Sequence, residues 1–168
     1  MPTNPDDPQA GVLYATPSIQ KLATGIRELQ NPPYLELGSS TPQSLQTATW
    51  TQLTAFASVS GAGAGLGSAG ASVTVTTAGR YRATGIVVYS PGTAGGARVA
   101  NVSATPGSQS AVASFNGGWA GTATSTSVQV SYILTVPANG AITLWGYQGS
   151  GAALNVILTR LYVEQLSS

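Results

Sequence analysis

The sequence contains no cysteine and no histidine, and its six basic and five acidic residues make up only 7% of the chain. Without cysteine, disulfide bonds and thiolate chemistry are excluded. General acid and base catalysis, nucleophile activation and metal binding draw chiefly on histidine, cysteine, carboxylates and lysine. Lys21 is the only lysine, and no aspartate or glutamate lies between Glu36 and Glu164. We therefore expect that the protein is not an enzyme and that it needs no cofactor and no metal ion.

Long apolar runs and a strong net charge are also missing. The formal net charge is +1, so the electrostatic attraction on which nucleic-acid binding depends is weak. No apolar run approaches the ~20 residues that span a membrane, and the N-terminus lacks the basic and apolar regions of a signal peptide. These absences argue against a nucleic-acid or membrane partner, and they predict synthesis in a cytoplasm.

Residues 126–166 carry the clearest pattern in the chain. Three apolar runs are separated by Pro-Ala-Asn-Gly at residues 137–140 and by Gly-Ser-Gly at residues 149–151. Glycine and asparagine tolerate the positive φ of tight turns, so the segment predicts three antiparallel strands in a β-meander. Alternate apolar residues from Val128 to Val136 predict that the first strand has one face in the core and one in water.

Similar short strands are predicted along the rest of the body, with glycine-rich turns between them. No second helical pattern accompanies these strands, which favours an all-β fold, an antiparallel β-sandwich, over a parallel sheet. The predicted strands lie near residues 34–37, 47–59, 72–77, 80–90, 97–104, 110–115, 128–136, 141–148 and 153–165.

The second and third strands of the meander have apolar residues on both faces, as where Trp145 lies opposite Leu144. If a second sheet covers one face, the other face is left for a neighbouring subunit. The alternative is one thick sandwich with a few exposed apolar residues, since folded surfaces are more than half apolar. We favour the oligomer, and its interface candidates are Trp145, Tyr147, Ile157, Leu161 and Val163.

Residues 1–37 read as an N-terminal arm, and residues 38–168 as the body. Residues 1–15 are rich in proline and predict an extended segment. Thr16 suits an N-cap and Pro17 a first helical position, which predicts a short α-helix at about residues 17–30. Gly25 weakens such a helix by about 1 kcal/mol relative to alanine, so its apolar stripe must dock on something. The stripe is Ile19, Leu22, Ile26 and Leu29, and a second, extended contact is Val12, Leu13 and Tyr14.

The docking partner of the arm has three alternatives at this stage. The helix packs on its own body, on two symmetry mates as a short three-helix bundle, or on a larger assembly. An arm that orders only when its apolar side meets a partner acts as an anchor.

Two glycine-rich segments interrupt the body. Residues 65–70 match the dinucleotide fingerprint GxGxxG, but a strand rich in threonine and valine follows where the fingerprint needs a helix, so we expect a flexible loop. Residues 116–121 place Trp119 near Asn116 on a second predicted loop. An exposed ring there suits a sugar or a protein, whereas the alternative is a tryptophan folded over the end of the sandwich.

Three arginines of the body, Arg80, Arg82 and Arg98, have two interpretations. They either face an acidic partner or supply ordinary solubilising charge on a weakly charged surface. We favour solubilising charge.

A family resemblance rests on the order of these motifs. Gly-Arg-Tyr-Arg at residues 79–82 opens a strand, Leu-Thr-Val-Pro-Ala-Asn-Gly at 134–140 precedes one, and a glycine-rich turn leads to a closing apolar strand. This arrangement resembles the jelly roll of C1q and tumour necrosis factor (TNF). It is most similar to the versions in bacteriophage virion proteins, where a segment like Pro-Gln-Ser at 42–44 with Trp-Thr-Gln-Leu-Thr at 50–54 opens the domain. The resemblance implies a jelly roll and a homotrimer.

Two functions are compatible with this resemblance. In the first, the chain is a capsid decoration or head-fibre protein of the virion, held on the major capsid protein or another virion protein by its arm. In the second, it is a tail fibre or tail-tip protein that recognises host surface glycan. Tail fibres usually carry long repeat shafts, and the arm is too short for one, which favours the first function. A trimeric adhesin that does not come from a phage ranks third.

Overall fold

The computed structural model describes residues 17, 20–22, 25–26, 32–92, 94–105, 115–120 and 124–167. The chain divides into two compact units, Met1–Pro32 and Pro33–Ser168. In the first unit, residues 17, 20–22 and 25–26 are helical, and all of them fall within the helix predicted at about 17–30. The predicted extended segment at residues 1–15 lies outside the described residues.

The second unit is built from antiparallel β-strands, as the alternation of apolar residues predicts. The described strands are β1 (Tyr34–Ser39), β2 (Gln43–Leu45), β3 (Thr51–Gln52), β4 (Ala57–Ala62), β5 (Leu66–Ser68), β6 (Ser72–Val75), β7 (Gly79–Tyr89), β8 (Gly96–Ser103), β9 (Phe115–Ala120), β10 (Thr126–Val136), β11 (Ala141–Gln148) and β12 (Leu154–Ser167). The all-β antiparallel sandwich is therefore confirmed.

The strands form two six-stranded sheets. Sheet 1 has the order β10-β7-β12-β1-β4, with β2 also paired to β12. Sheet 2 has the order β5-β6-β11-β8-β9, with β3 also paired to β11. Because β1 pairs with β12, residues 34–37 belong to the sandwich, although the sequence division at residue 37 grouped them with the arm.

One hydrophobic core lies between the two sheets. Leu37, Val87 and Leu161 of sheet 1 and Val102 and Leu144 of sheet 2 all have 0% exposure. Burying each such side chain contributes about 1.5–3 kcal/mol relative to leaving it in water. The core therefore draws on both sheets, and each sheet keeps one outer face.

The predicted β-meander is wrong in its connections. The three strands β10, β11 and β12 were found at the expected places, but β10 and β12 belong to sheet 1 and β11 belongs to sheet 2. The reversal at residues 137–140 forms as predicted, with the Gly140 amide donating to the Pro137 carbonyl at 3.0 Å and Asn139 at φ 58°. A turn signal specifies that the chain reverses, but it does not specify whether the next strand stays in the same sheet.

Two other segments differ from their predicted form. The strand predicted at 47–59 is divided, because positive φ at Ala48 and Ala55 breaks the extended chain. Its first part, β3, pairs with β11 in sheet 2, and its second part, β4, pairs with β1 in sheet 1. The loop predicted at 65–70 contains β5, which pairs with β6.

A register shift in β12 changes which residues of this strand face the core. It lies between Val156 and Leu158, so the alternation of inward and outward residues changes phase there. Val156 is buried before the shift, and Leu161 and Val163 are buried after it. Strict alternation through the strand had placed Leu161 and Val163 on the face opposite Val156.

Candidate functional site

The outer face of sheet 1 is a candidate interaction surface of the sandwich. We define it by the residues that alternate with the core residues and face away from sheet 2. On the described strands these are Tyr34 and Glu36 of β1, Val59 of β4, Arg82, Thr84, Ile86 and Val88 of β7, Ser131 and Ile133 of β10, and Leu158, Arg160, Tyr162 and Glu164 of β12.

Two ion pairs connect neighbouring strands on this face. Arg82 Nη1 lies 3.3 Å from Glu164 Oε2, and Arg160 Nη1 lies 3.0 Å from Glu36 Oε1. The Ser60 hydroxyl also donates to Glu36 Oε2 at 3.2 Å. Exposed pairs of this kind contribute about 0–1 kcal/mol each, so their main effect is to fix the positions of charge on the surface.

Aromatic rings lie between the two ion pairs. Tyr34 and Tyr162 stack with ring centroids 5.8 Å apart. Burial raises the pKa of Tyr162, and the nearby Glu164 carboxylate raises it further. The centre of this face is therefore a neutral aromatic patch flanked by balanced charge.

Apolar side chains are exposed at both edges of this face. Val59 is 51% exposed on β4, and Ile133 is 41% exposed on β10. A shallow cavity of about 190 Å³ adjoins Val59, Leu158 and Arg160, and an open depression of about 500 Å³ adjoins Arg82 and Ile133. Aromatic residues and arginine are enriched in protein–protein interfaces, and the rims of such interfaces are polar, so this face is suited to a protein partner.

The five residues proposed from sequence as an interface do not form one surface. Leu161 and Val163 lie in the core, so they have no surface left for a neighbouring subunit. Ile157 is half-buried beside the register shift in β12. Trp145 and Tyr147 lie on the outer face of sheet 2, on the opposite side of the sandwich.

The outer face of sheet 2 carries a small aromatic cluster. Trp145 is only 9% exposed, and its Nε1 donates to Thr143 Oγ1 at 2.9 Å. Tyr147 packs against Trp50 with ring centroids 5.3 Å apart and an interplanar angle of 44°. Trp145 is thus held against its own sheet, while Trp50 and Tyr147 keep part of their ring surface exposed.

The candidate ligand loop at Asn116 and Trp119 is a strand in the structure. Both residues belong to β9, where Asn116 pairs with Ala100 and Trp119 pairs with Ala97 of β8. Their side chains lie outside the described part of the chain. Gly117, one of the glycines that indicated a loop, serves close packing instead, because a Cβ there would lie 2.9 Å from Val99 Cγ2.

The described part of the arm exposes its apolar stripe. Leu22 is 65% exposed and Ile26 is 46% exposed, both in helical backbone. The other proposed arm contacts, Val12, Leu13, Tyr14, Ile19 and Leu29, lie outside the described residues.

Arg98 is the residue that sequence reasoning assigned to the wrong environment. It was interpreted as solubilising surface charge, yet it is only 1% exposed. Arg98 alternates in phase with Ala100 and Val102 of β8, so its side chain lies on the core face of the strand.

The described residues contain neither a metal-binding cluster nor a membrane-spanning helix. These residues contain no group of three or more His, Cys, Asp or Glu placed to hold a metal ion. Within the same ranges, no helix combines the length and apolar character needed to cross a membrane.

Comparison with known proteins identifies the fold. The structure is similar to murine APRIL at 16% identity, covering 81% of this chain and 100% of that chain with a TM-score of 0.60. It is similar to a PRD1 vertex protein at 15% identity, covering 80% and 96% with a TM-score of 0.52. It is also similar to the globular domain of zebrafish complement 1qA protein at 11% identity, covering 81% and 98% with a TM-score of 0.54. The fold is a TNF- and C1q-like jelly roll.

The similarity lies in structure and not in sequence. No protein-family model matches the sequence, and no curated protein matches it. Identities this low establish the fold alone, and function must be argued from the surfaces.

Proposed function

We propose that this chain is a non-enzymatic structural protein of a bacteriophage particle, a homotrimer attached to the head shell through its N-terminal arm. Three observations support the proposal. The jelly roll is similar to that of a PRD1 vertex protein, the outer face of sheet 1 is suited to a protein partner, and the arm exposes apolar side chains. The virion is therefore the location we propose, after synthesis in the host cytoplasm.

The observation that carries the attachment step is the exposure of Leu22 and Ile26. These residues are four apart on helical backbone, so they share one face, and both expose about half or more of their surface. A short helix is marginally stable in water by itself, and burying two such side chains contributes about 1.5–3 kcal/mol each. A hydrophobic groove on the major capsid protein or another virion protein would supply that burial.

A trimer would multiply the effect of a weak arm. Three arms engaging one particle at once raise the overall affinity by about 10²–10⁴ over that of a single arm, if the geometry allows joint engagement. Joint engagement would therefore strengthen an attachment that is weak for a single arm.

The test replaces Leu22 and Ile26 with aspartate in the full chain and measures incorporation into particles. Gln20→Asp is the matched control, because Gln20 is helical and exposed but lies outside the stripe. We expect the double variant to remain trimeric by native mass spectrometry while its copy number on purified particles falls at least tenfold. Normal loading of the double variant would show that attachment runs through the jelly roll and not through the arm.

A second candidate is a tail fibre or tail-tip protein that recognises host surface glycan. The partly exposed Trp50 and Tyr147 rings favour it, because flat aromatic faces with polar neighbours suit sugar rings. Its test compares binding of purified host-surface glycan by the wild-type protein and by Trp50→Ala. Binding that depends on Trp50, together with normal particle loading of the arm variant, would favour this candidate over the first.

A further inference from the structure

The sequence contains two Asn-Gly steps, Asn139-Gly140 and Asn116-Gly117. In such a step the side-chain amide of asparagine reaches the backbone nitrogen of the next residue, and glycine has no Cβ to keep the two groups apart. The two groups can close a five-membered ring with loss of ammonia, which converts the asparagine to aspartate or isoaspartate. The structure places the two steps in different environments.

The first step lies in the exposed turn between β10 and β11. Asn139 is exposed and has φ 58°, a conformation that asparagine adopts more readily than most residues with a side chain. The Gly140 amide donates to the Pro137 carbonyl at 3.0 Å, so ring closure requires this turn bond to open. Exposed turns open locally without unfolding of the whole domain.

The second step lies within a β-ladder. Asn116 pairs with Ala100 of β8, and Gly117 pairs with Val99. A Cβ on Gly117 would lie 2.8 Å from the Arg98 carbonyl oxygen, so the two strands pack closely along this step. Ring closure there requires β9 to separate from β8, which disrupts more of the structure than the opening of one turn.

The fold also limits which residues the exposed turn accepts. A Cβ on Gly140 would lie 2.7 Å from Val136 Cγ1 and 2.8 Å from the Pro137 carbonyl oxygen, so residue 140 has to be glycine unless the turn shifts. The positive φ at residue 139 favours asparagine or glycine. The turn therefore suits Asn-Gly or Gly-Gly, and this chain has the one that can react.

We propose that Asn139 is a site of spontaneous deamidation in the folded protein. The backbone nitrogen of Gly140 loses its proton to water and attacks Cγ of Asn139, and the Cγ–Nδ2 bond breaks as ammonia leaves with a proton. Water then opens the ring. Attack of water at Cγ gives aspartate, whereas attack at the backbone carbonyl carbon leaves the chain running through Cγ as isoaspartate. Water is the only other reactant, and no atom is oxidised or reduced.

Isoaspartate lengthens the main chain where it passes from sheet 1 to sheet 2. The Gly140 carbonyl accepts from the Val75 amide at 2.9 Å, next to the pair that Ala141 of β11 forms with Thr74 of β6. A longer turn displaces this carbonyl, so the modification loosens the end of β6 on β11. This inference needs only the folded sandwich, and it is independent of the proposed trimer and of its attachment to a particle.

The first experiment follows both steps in the full wild-type chain during storage in neutral buffer. Peptide mapping by mass spectrometry, with fragmentation that distinguishes asparagine, aspartate and isoaspartate, measures conversion at each position. We expect Asn139 to convert at least tenfold faster than Asn116. Conversion of Asn139 that is no faster than that of Asn116, including no conversion at either position, would overturn the proposal.

The same measurement in urea removes the structure and keeps the sequence. We expect the two rates to become similar, because both steps then lie in an unfolded chain. A tenfold difference that persists in urea would assign the selectivity to the neighbouring residues in the sequence, and it would contradict the role of the fold.

The second experiment measures how the modification changes Tm. Asn139→Gly is the control, because it keeps the positive φ and removes the reactive amide. We expect stored wild-type protein that carries isoaspartate to melt about 3–5 °C lower than fresh protein, the shift for about one lost backbone hydrogen bond in a domain of this size. Stored Asn139→Gly should keep its Tm. Freshly purified Asn139→Asp carries the new charge on a backbone of normal length, so it should match fresh wild type.

Two results would contradict the loosening of the turn. One is an unchanged Tm in wild-type protein that has converted to isoaspartate. The other is an equal loss of Tm in fresh Asn139→Asp, which would assign the effect to the charge and not to the longer main chain.

Discussion

Tyr89 joins the two sheets through a single hydroxyl group. It belongs to β7 of sheet 1, and its hydroxyl donates to the Val99 carbonyl of β8 and accepts from the Tyr147 amide of β11, both in sheet 2. Its ring is fully buried. Because it satisfies one donor and one acceptor in the interior, its removal leaves two backbone groups without a partner.

Tyr89→Phe should therefore destabilise the protein although it preserves the ring. We expect the free energy of unfolding to fall by about 1–3 kcal/mol, the usual effect of leaving buried polar groups unsatisfied. Denaturant titration at pH 7 measures the change. Tyr132→Phe is the control, because Tyr132 is exposed and its change should stay within about 0.5 kcal/mol. Equal stabilities of the two variants would show that the hydroxyl contacts of Tyr89 contribute nothing.

The buried tyrosines also predict how stability depends on alkaline pH. Burial raises the pKa of Tyr81 and Tyr89, whereas tyrosine in the unfolded chain titrates near pH 10. Above that pH the folded state holds a proton that the unfolded state has lost. The contribution of each tyrosine to stability is therefore complete below pH 10 and falls as pH rises, by up to about 1.4 kcal/mol per pH unit.

Denaturant titrations between pH 8 and pH 11.5 test this dependence. We expect the difference in free energy of unfolding between the wild type and Tyr89→Phe to be constant up to about pH 9 and to narrow above pH 10. It narrows because only the wild type loses the contribution of Tyr89, whereas both proteins lose that of Tyr81. Parallel curves over the whole range would contradict a raised pKa for Tyr89.

At the scale of single elements, the connection between β11 and β12 packs closely against the start of β8. A Cβ on Gly96 would clash with the carbonyl group of Gly149 and lie 3.1 Å from Ser150 Cα. These are backbone atoms, which cannot turn away as the end of a side chain can. A Cβ on Gly149 itself would find its nearest neighbours at 3.8 Å, an ordinary contact.

Alanine substitution at these two glycines should therefore have different effects. We expect Gly96→Ala to lower the free energy of unfolding by about 1–3 kcal/mol, as overpacking does, and Gly149→Ala to change it by less than about 0.5 kcal/mol. Denaturant titration of both variants measures the contrast. A neutral Gly96→Ala would show that the connection shifts freely and that this end of the sandwich is loosely packed.

The elements also show how far the sequence could predict the fold. Alternation located β7, β8, β10, β11 and β12 to within a few residues, because each of these strands has one face in the core. Alternation failed as a guide where the pairing register changes within a strand. The register shift in β12 brings Leu161 and Val163 into the core, where strict alternation had not placed them. Alternation also failed at β9, where glycine allows close packing against Val99 and not a turn.

The candidate site was less predictable than the fold for a related reason. Exposure on the outer face of sheet 1 depends on which strands are neighbours, and the topology that joins β7 to both β10 and β12 is not encoded in any one segment. Ile133 is an apolar residue at an outward position of β10, and its pairing with Arg82 of β7 makes it part of that face. The burial of Arg98 was hidden for the same reason, because a single arginine in a strand resembles surface charge.

At the scale of the whole molecule, the two outer faces of the sandwich differ in character. On sheet 2, Trp145 is hydrogen-bonded to its own strand and mostly covered. On sheet 1, Val59 and Ile133 stand exposed at opposite edges, with the stacked tyrosines and the ion pairs between them. Sheet 1 therefore offers the better surface for the subunit contacts of the proposed homotrimer.

This assignment predicts that charge on the outer face of sheet 1 disrupts the trimer without unfolding the subunit. Val59→Asp combined with Ile133→Asp would place two carboxylates in the interface, and their desolvation costs several kcal/mol. Both sites are exposed in the single chain, so the fold should persist with unchanged circular dichroism. Native mass spectrometry should then give a trimer for the wild type and a monomer for the double variant.

Two further variants test whether the trimer forms through sheet 1, through sheet 2 or through the arms. Ser68→Asp adds one negative charge at an exposed position on β5 of sheet 2, and it should remain trimeric. Leu22→Asp with Ile26→Asp should also remain trimeric, because the proposed contacts lie in the jelly roll; a monomer here would instead indicate a three-helix bundle of arms. A wild-type protein that stays monomeric at high concentration would refute the trimer itself. Dissociation of the sheet 1 variant alone would assign the trimer contacts to sheet 1. The arms would then take no part in trimer formation and would be available to attach to a particle, as the proposed anchoring requires.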